Sequence, residues 1–386
     1  MGKARSNWSP SAGKSVKMAI NRRTLQLGER VRVLVVDDSV VIRRLVTHAL
    51  EQDPLIQVVG TASNGVLGLY RIPHLDPDVV ILDIEMPDMD GMETLRCIRR
   101  DHPSLRVVMF STLTERGAAI TLEALTLGAD DYVAKSSNEG SIAGSMSKLK
   151  EELIPKIKQF FRFPGQTPTT NGTIHSTPAI GTKIISSTRG IKTRPKVVVI
   201  GISTGGPTAL GTILPKVPAS FPLPILIVQH MPPVFTRLLA ERLNASCELH
   251  VEEASQGSKV EPGKILIAPG DFHMKLASEE ARVRISLDQS AQQNFCRPAV
   301  DVLFRSAGEV YGGAVLAVVL TGMGQDGLRG VEVLKAQGAS VLAQDEASSV
   351  VWGMPGAVAN AGFADRVVPL DEVVPEMLRI SGGRNE

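Results

Sequence analysis

Five short runs of apolar residues punctuate the first third of the chain: VRVLVV (31–36), IQVVG (56–60), DVVILD (78–83), RVVMF (106–110) and DYVA (131–134). A stretch with helical spacing follows each. In the first of these, residues 40–51, the spacing places Val41, Leu45, His48 and Ala49 on one stripe. Apolar runs without polar alternation predict strands buried on both faces, hence a parallel sheet covered by helices. A second set repeats the logic: VVVIG (197–201), PILIVQ (224–229), GKILIA (263–268), AVLAVVL (314–320) and ASVLA (339–343). No internal sequence repeat is evident. The pattern predicts two α/β domains, each a doubly wound parallel sheet.

Residues 164–195 separate the blocks and are rich in Pro, Gly, Ser and Thr with little periodicity, which is linker composition. The expected boundaries are a disordered basic tail at 1–30, a first domain at 31–150, a linker at 151–195 and a second domain at 196–386. The length of 386 residues suits two domains. Charge sharpens this division. Residues 1–30 carry seven Lys/Arg against one acid, and 151–196 carry eight against two, so a chain of net charge +2 leaves −10 for the folded blocks. Acidic folded blocks joined by basic flexible segments argue against a nucleic-acid-binding core, and the basic segments read as solvated spacers. No apolar run approaches the ~20 residues of a membrane span. The N-terminus lacks the apolar core of a secretion signal, and Met18 is an alternative start. Cys97, Cys247 and Cys296 are too few and scattered for a disulfide framework and read as buried, reduced thiols. The expectation is a cytoplasmic protein without membrane insertion or nucleic-acid partner.

Ligands of open parallel sheets bind beyond the carboxyl ends of the strands. In the first block those ends carry Asp37, Asp38, Asp83, Ser111 and Lys135. Three converging carboxylates need a cation, and oxygen ligands suit Mg²⁺. A carboxylate beside Mg²⁺ can take a phosphoryl group, with a hydroxyl and an ammonium balancing the new charge. Singly, Asp37 or Ser111 reads equally as a helix cap. The D-x-D pair of a Mg²⁺-dependent phosphatase is missing after the first strand.

In the second block, Gly201-Ile202-Ser203-Thr204-Gly205 has the G-x-S-x-G spacing of a nucleophile elbow, and the glycine patterns of a phosphate cradle do not fit. A serine nucleophile needs a base and an orienting carboxylate. His230 ends the run PILIVQ, and Asp326 lies in the TGMGQDG loop after AVLAVVL. His273 competes as the base, and Asp271, Asp301 and Asp345 compete as the acid. Met323 and its neighbouring glycines offer backbone N–H groups to an oxyanion. The order Ser…His…Asp differs from that of α/β-hydrolases.

VLVVDDS, ILDIEMPDMDGMETL, VVMFST and DYVAKSS resemble the receiver domain of two-component response regulators. The resemblance implies a flavodoxin-like fold and phosphorylation of Asp83. It implies Mg²⁺ held by Asp37, Asp38, Asp83 and the Glu85 carbonyl, with Ser111 and Lys135 as the switch pair. Ser136 replaces the proline that usually follows this lysine, so a small change in loop geometry is expected. GISTGGPTAL, VQHMPPVFT, IAPGDFHMKL, CRPAVDVLFRSA, VLTGMGQDG and QDEASSVVWGMPGAV resemble the catalytic domain of the bacterial chemotaxis methylesterase family. That likeness implies a Rossmann-like α/β domain with Ser203 as nucleophile, His230 as base, Asp326 as its partner and Met323 at the oxyanion site. The implied reaction is hydrolysis of glutamate γ-methyl esters on methyl-accepting chemoreceptors, with deamidation of particular glutamines and no cofactor for the hydrolysis. A chemotaxis histidine kinase is the implied phosphodonor. The implied resting state is a monomer whose receiver covers the Ser203 crevice. A non-catalytic regulator that merely binds receptors is the competing reading, and an intact Ser203–His230–Asp326 set speaks against it.

Overall fold

The computed structural model of the chain describes residues 23–135, 142–164, 193–279 and 282–382. Ser136 and the segment 165–192 lie outside them. All ten expected strands are present. In the first domain they form one parallel sheet, in the spatial order Ile56–Ala62, Val31–Val36, Val79–Asp83, Arg106–Thr112, Asp131–Lys135. The valines and isoleucine of the inner strands are fully buried because helices cover both faces. Ser39, Asn64, Asp90 and Thr114 cap four of those helices by accepting from the backbone N–H three residues on.

The helix Val40–Leu50 buries Ala49 and half-buries Leu45 of the expected stripe, but Val46 and Leu50 complete the buried face and Val41 is 73 % exposed. Packing against the last helix of the domain turns its buried face away from Val41 and His48. That last helix, Ile142–Lys158, runs well past residue 150, with Leu153 and Ile157 fully buried. The first domain therefore takes in residues expected to be linker. Its N-terminal edge also moves. Arg23–Thr24 pairs in parallel with Phe161–Arg162, and Leu25 is 1 % exposed in a cluster with Leu153 and Phe160. Arg23 is ion-paired with Asp78. Residues 23–30 are thus part of the domain, not of a disordered tail, because Leu25 fills a gap that the sheet and the last helix leave open.

The second domain has seven parallel strands in the order His250–Glu253, Lys264–Ile267, Ile225–Gln229, Val197–Ile202, Val315–Val319, Ser340–Gln344, Arg366–Val368. An antiparallel hairpin, His273–Glu279 with Arg282–Asp288, packs beside the sheet through Met274 and Ile285. The two domains touch. The helix Glu115–Thr126 of the first domain lies against the helices Gly206–Ile213 and Phe235–Asn244 of the second domain.

Candidate active site

The order of the second sheet reverses between Val197–Ile202 and Val315–Val319. That reversal opens a crevice beyond their carboxyl ends. Ser203 leaves the first of these strands directly. Gly205 takes the left-handed region at φ +78°, and a Cβ on Gly206 would collide with Gln229 Oε1. The turn is therefore too tight for larger residues. Ser203 N donates to Thr321 O at 3.0 Å, and its carbonyl accepts from Gly206 N and Gln229 Nε2. These bonds fix the serine backbone against the neighbouring strand end and leave the side chain on the crevice.

His230 follows the strand Ile225–Gln229, and its backbone N donates to Ile202 O at 3.2 Å. Its Nε2 lies 2.8 Å from Asp326 Oδ2. Asp326 is almost fully buried and is held by four further donors. Val300 N donates to Oδ2, while Asp301 N, Gly327 N and Asn294 Nδ2 donate to Oδ1, at 2.7–3.0 Å. So many hydrogen bonds fix the carboxylate in its charged form. Burial opposes both charges, but the His230–Asp326 bond and Cys296 outweigh it, so His230 is pushed up to about 10 and Asp326 falls below the usual carboxylate value. Ser203, His230, Asp326 and Met323 line one cavity of about 430 Å³. Ser203 Oγ has no hydrogen bond to His230 among the described residues. His230 Nδ1 instead faces Cys296 Sγ at 3.6 Å.

The competing residues are engaged elsewhere. His273 is fully buried, accepts from Ala299 N through Nδ1 and donates through Nε2 to Ala291 O. Asp271 pairs with Arg297, and Asp345 caps the turn at Ser348. Asp301 accepts from Gly330 N and from Asn294, which bridges it to Asp326.

At the strand ends of the first domain, Asp37, Asp38 and Asp83 bring carboxylate oxygens within 4.8 Å of one another. Lys135 Nζ lies 2.7 Å from Asp83 Oδ1 and 3.0 Å from Asp37 Oδ2, yet Asp37 Oδ2 has no hydrogen-bond partner. Burial, against the pull of Lys135, pushes Asp83 up to about 6. A crowded acid cluster in which Asp37 Oδ2 has an ion pair but no hydrogen bond is what a divalent cation would satisfy. Ser111 Oγ accepts from Thr121 Oγ1 at 2.7 Å and donates toward Gly117 O, so it is turned to the following helix. Glu85 lines the same small cavity as Asp83 and Lys135.

Comparison with known proteins agrees with both halves. Residues 198–377 match the CheB methylesterase family, and 33–146 match the response regulator receiver domain. The protein-glutamate methylesterase/protein-glutamine glutaminase of Trichodesmium erythraeum is 49 % identical over 353 residues, covering 92 % of this chain and 99 % of that one. The chain belongs to the CheB methylesterase family. The protein of the same name from a Nocardioides species is 50 % identical over 349 residues, covering 90 % of this chain and 95 % of its own. The crystal structure of the Thermotoga maritima CheB methylesterase catalytic domain matches with 46 % identity and a TM-score of 0.48, over 48 % of this chain and 98 % of that one.

The receiver closes one side of the methylesterase cavity with Leu125, Asp131, Tyr132 and Lys156. Thr204, next to Ser203, donates its hydroxyl to Asp131 Oδ2 at 3.1 Å and lies 3.3 Å from Gln159 Oε1. Tyr132 stacks on Phe235 with ring centroids 4.9 Å apart. Thr208 Oγ1 donates to Leu125 O, and Arg237 pairs with Glu115 at 2.7 Å. None of these receiver residues is marked by sequence reasoning, because a docking contact has no motif. Asn294 carries no sequence signal, and Cys296 reads from the sequence only as a reduced thiol. They belong to a turn whose middle residues, Asn294 and Phe295, both have positive φ (+53° and +62°), a backbone cost on the order of 1–3 kcal/mol each. Cys296 is half-buried and free, as are Cys97 and Cys247, not fully buried as expected.

Proposed function

We propose that this chain is a phosphorylation-activated serine esterase that hydrolyses glutamate γ-methyl esters on chemoreceptors and deamidates particular receptor glutamines. The observation that carries the reading is the single cavity that holds Ser203 beside the His230–Asp326 pair, with the receiver docked along its edge. Asp326 binds Nε2, so Nδ1 is the nitrogen that takes the Ser203 proton as Oγ attacks the ester carbonyl. Rotation of the two side chains within the cavity closes that contact, which is commonly loose before substrate binds. His230 then protonates the departing methoxide, giving methanol, and deprotonates the water that releases the glutamate. Met323 lines the same cavity, and its peptide N–H is the proposed donor to the developing oxyanion, where one such donor contributes about 3 kcal/mol.

The receiver sets when this happens. Asp37, Asp38, Asp83 and the Glu85 carbonyl would hold Mg²⁺, which when bound shields the charge of an incoming phosphoryl group. A chemotaxis histidine kinase supplies that group to Asp83. Lys135 and Ser111 then bind its oxygens, and the turn of Ser111 away from the helix Glu115–Thr126 loosens the docking of that helix on the esterase domain. Labelling with a fluorophosphonate tests the nucleophile. A phosphonyl adduct on the Ser203 peptide, faster to form after treatment with a phosphodonor, is expected. An adduct elsewhere, or none, removes Ser203 from the reaction.

A further inference from the structure

Cys296 transfers no proton in the proposed ester chemistry, yet it touches the base. The turn that carries it is closed by pairing of Gln293 with Cys296 and pinned by Asn294 to Asp301 and Asp326. This places Cys296 Sγ 3.6 Å from His230 Nδ1, with both residues on the wall of the same cavity. The opposite nitrogen, Nε2, is bonded to Asp326 at 2.8 Å. In its neutral form His230 keeps its proton on the Asp326 side and directs a lone pair at sulfur. A carboxylate behind a histidine, with a thiol in front of the free nitrogen, is the arrangement of zinc ligation with its outer carboxylate.

Distance supports the match. With Zn–S of about 2.3 Å and Zn–N of about 2.0–2.1 Å, a tetrahedral ion holds its sulfur and nitrogen ligands about 3.5–3.6 Å apart. The observed separation is 3.6 Å, so the pair is already spaced for one ion. Asp326 lies within the same ligand cluster, but its oxygens are taken by five donors, so it serves as the outer partner. The cavity of about 430 Å³ has room for waters at the remaining positions.

We propose that Cys296 and His230 form a binding site for a soft divalent cation of the Zn²⁺ class, whose occupancy switches the esterase off. On binding, the Cys296 thiol and Nδ1 of the charged His230 each give a proton to solvent, so that a thiolate and a neutral imidazole hold the ion. The ion then holds the Nδ1 lone pair that Ser203 needs. Inhibition rests on the role given to His230 above; the cation site does not. Mg²⁺, which seeks oxygen, has no partner at this sulfur, so the receiver and the esterase cavity select different ions.

Co²⁺ is the probe, added to the full-length Ser203→Ala protein so that binding is read without activity. With excess Mg²⁺ present to occupy the receiver carboxylates, the expected result is one equivalent of Co²⁺ bound, with a thiolate-to-cobalt charge-transfer band that Zn²⁺ abolishes. The band disappears in Cys296→Ser and in Cys296→Ala, whose thermal melts report that they are folded. In the protein with Ser203 intact, Zn²⁺ slows methanol release, and Cys296→Ser raises the half-inhibitory concentration at least tenfold relative to its own metal-free rate. Absence of the band, or its survival in both Cys296 variants, overturns the site. A band without inhibition keeps the site and refutes Nδ1 as the working nitrogen.

Discussion

The Thr204 hydroxyl joins the two domains at the point where docking and chemistry meet, so Thr204→Val isolates the docking term. The substitution keeps the shape of the side chain and removes one donor. Asp131, 5 % exposed, loses the Thr204 bond but keeps those from Lys156 Nζ, Gln159 Nε2 and Tyr132 N. A hydrogen bond to a charged group contributes about 1.5–3 kcal/mol, and the three remaining donors place this loss at the low end. About 1.5 kcal/mol shifts the docking equilibrium about tenfold. The assay is methanol release from methylated receptor, with and without a small-molecule phosphodonor. The unphosphorylated rate should rise about tenfold while the phosphorylated rate stays put, so the stimulation ratio collapses. An unchanged basal rate would refute the coupling. An equal fall in both rates would show that Thr204 serves the chemistry instead. The exposed Arg237–Glu115 pair gives the contrast, because surface ion pairs contribute about 0–1 kcal/mol and its removal should change the basal rate less than about fivefold.

Three further outcomes follow from the same structure. In Asp326→Asn the carboxylate that raises His230 is gone, so the ascending limb of the kcat/KM pH profile should move to lower pH, with a rate loss on the order of 10⁴-fold from the wrong tautomer. The sign is fixed because only neutral His230 accepts a proton; an unmoved or upward-shifted limb contradicts the assignment. Asp83→Asn should retain the basal methylesterase rate and show no response to a phosphodonor. Leu25→Ala, at a site 1 % exposed, should destabilise the receiver by about 2–5 kcal/mol in denaturant titrations, whereas a loss under 0.5 kcal/mol would return residues 23–30 to a loose tail.

The parallel strands were legible because burial on both faces writes an unbroken apolar run. The hairpin His273–Asp288 was not found, since its strands alternate: Met274 and Leu276 pack inward while Lys275 and Ala277 lie half-buried on the other face. Such alternation is the signal of a half-covered antiparallel pair, and it is readable in HMKLASE and RVRISLD once sought. Arg23–Thr24 carries no periodicity at all; two residues become a strand only because Phe161–Arg162 is beside them. The end of the last receiver helix was obscured by Pro155 and a basic run, both of which also mark linkers. Spacing placed Ser203, His230 and Asp326 at strand ends but left His273 open as the base. Hydrogen bonds distinguish the two histidines, since His273 has both ring nitrogens committed to backbone groups and His230 has one committed to a carboxylate. The thiol of Cys296 stayed hidden because its contact with His230 spans 66 positions in sequence.

The central claim is that Ser203 carries the hydrolysis and that Asp83 releases it. Methanol release by the full-length protein acting on methylated receptor, with wild type and Ser203→Ala compared before and after phosphodonor, tests both halves together. The expected result is a slow wild-type rate that rises on phosphorylation and no enzyme-dependent release from Ser203→Ala in either state. Release by Ser203→Ala at the wild-type rate would contradict it.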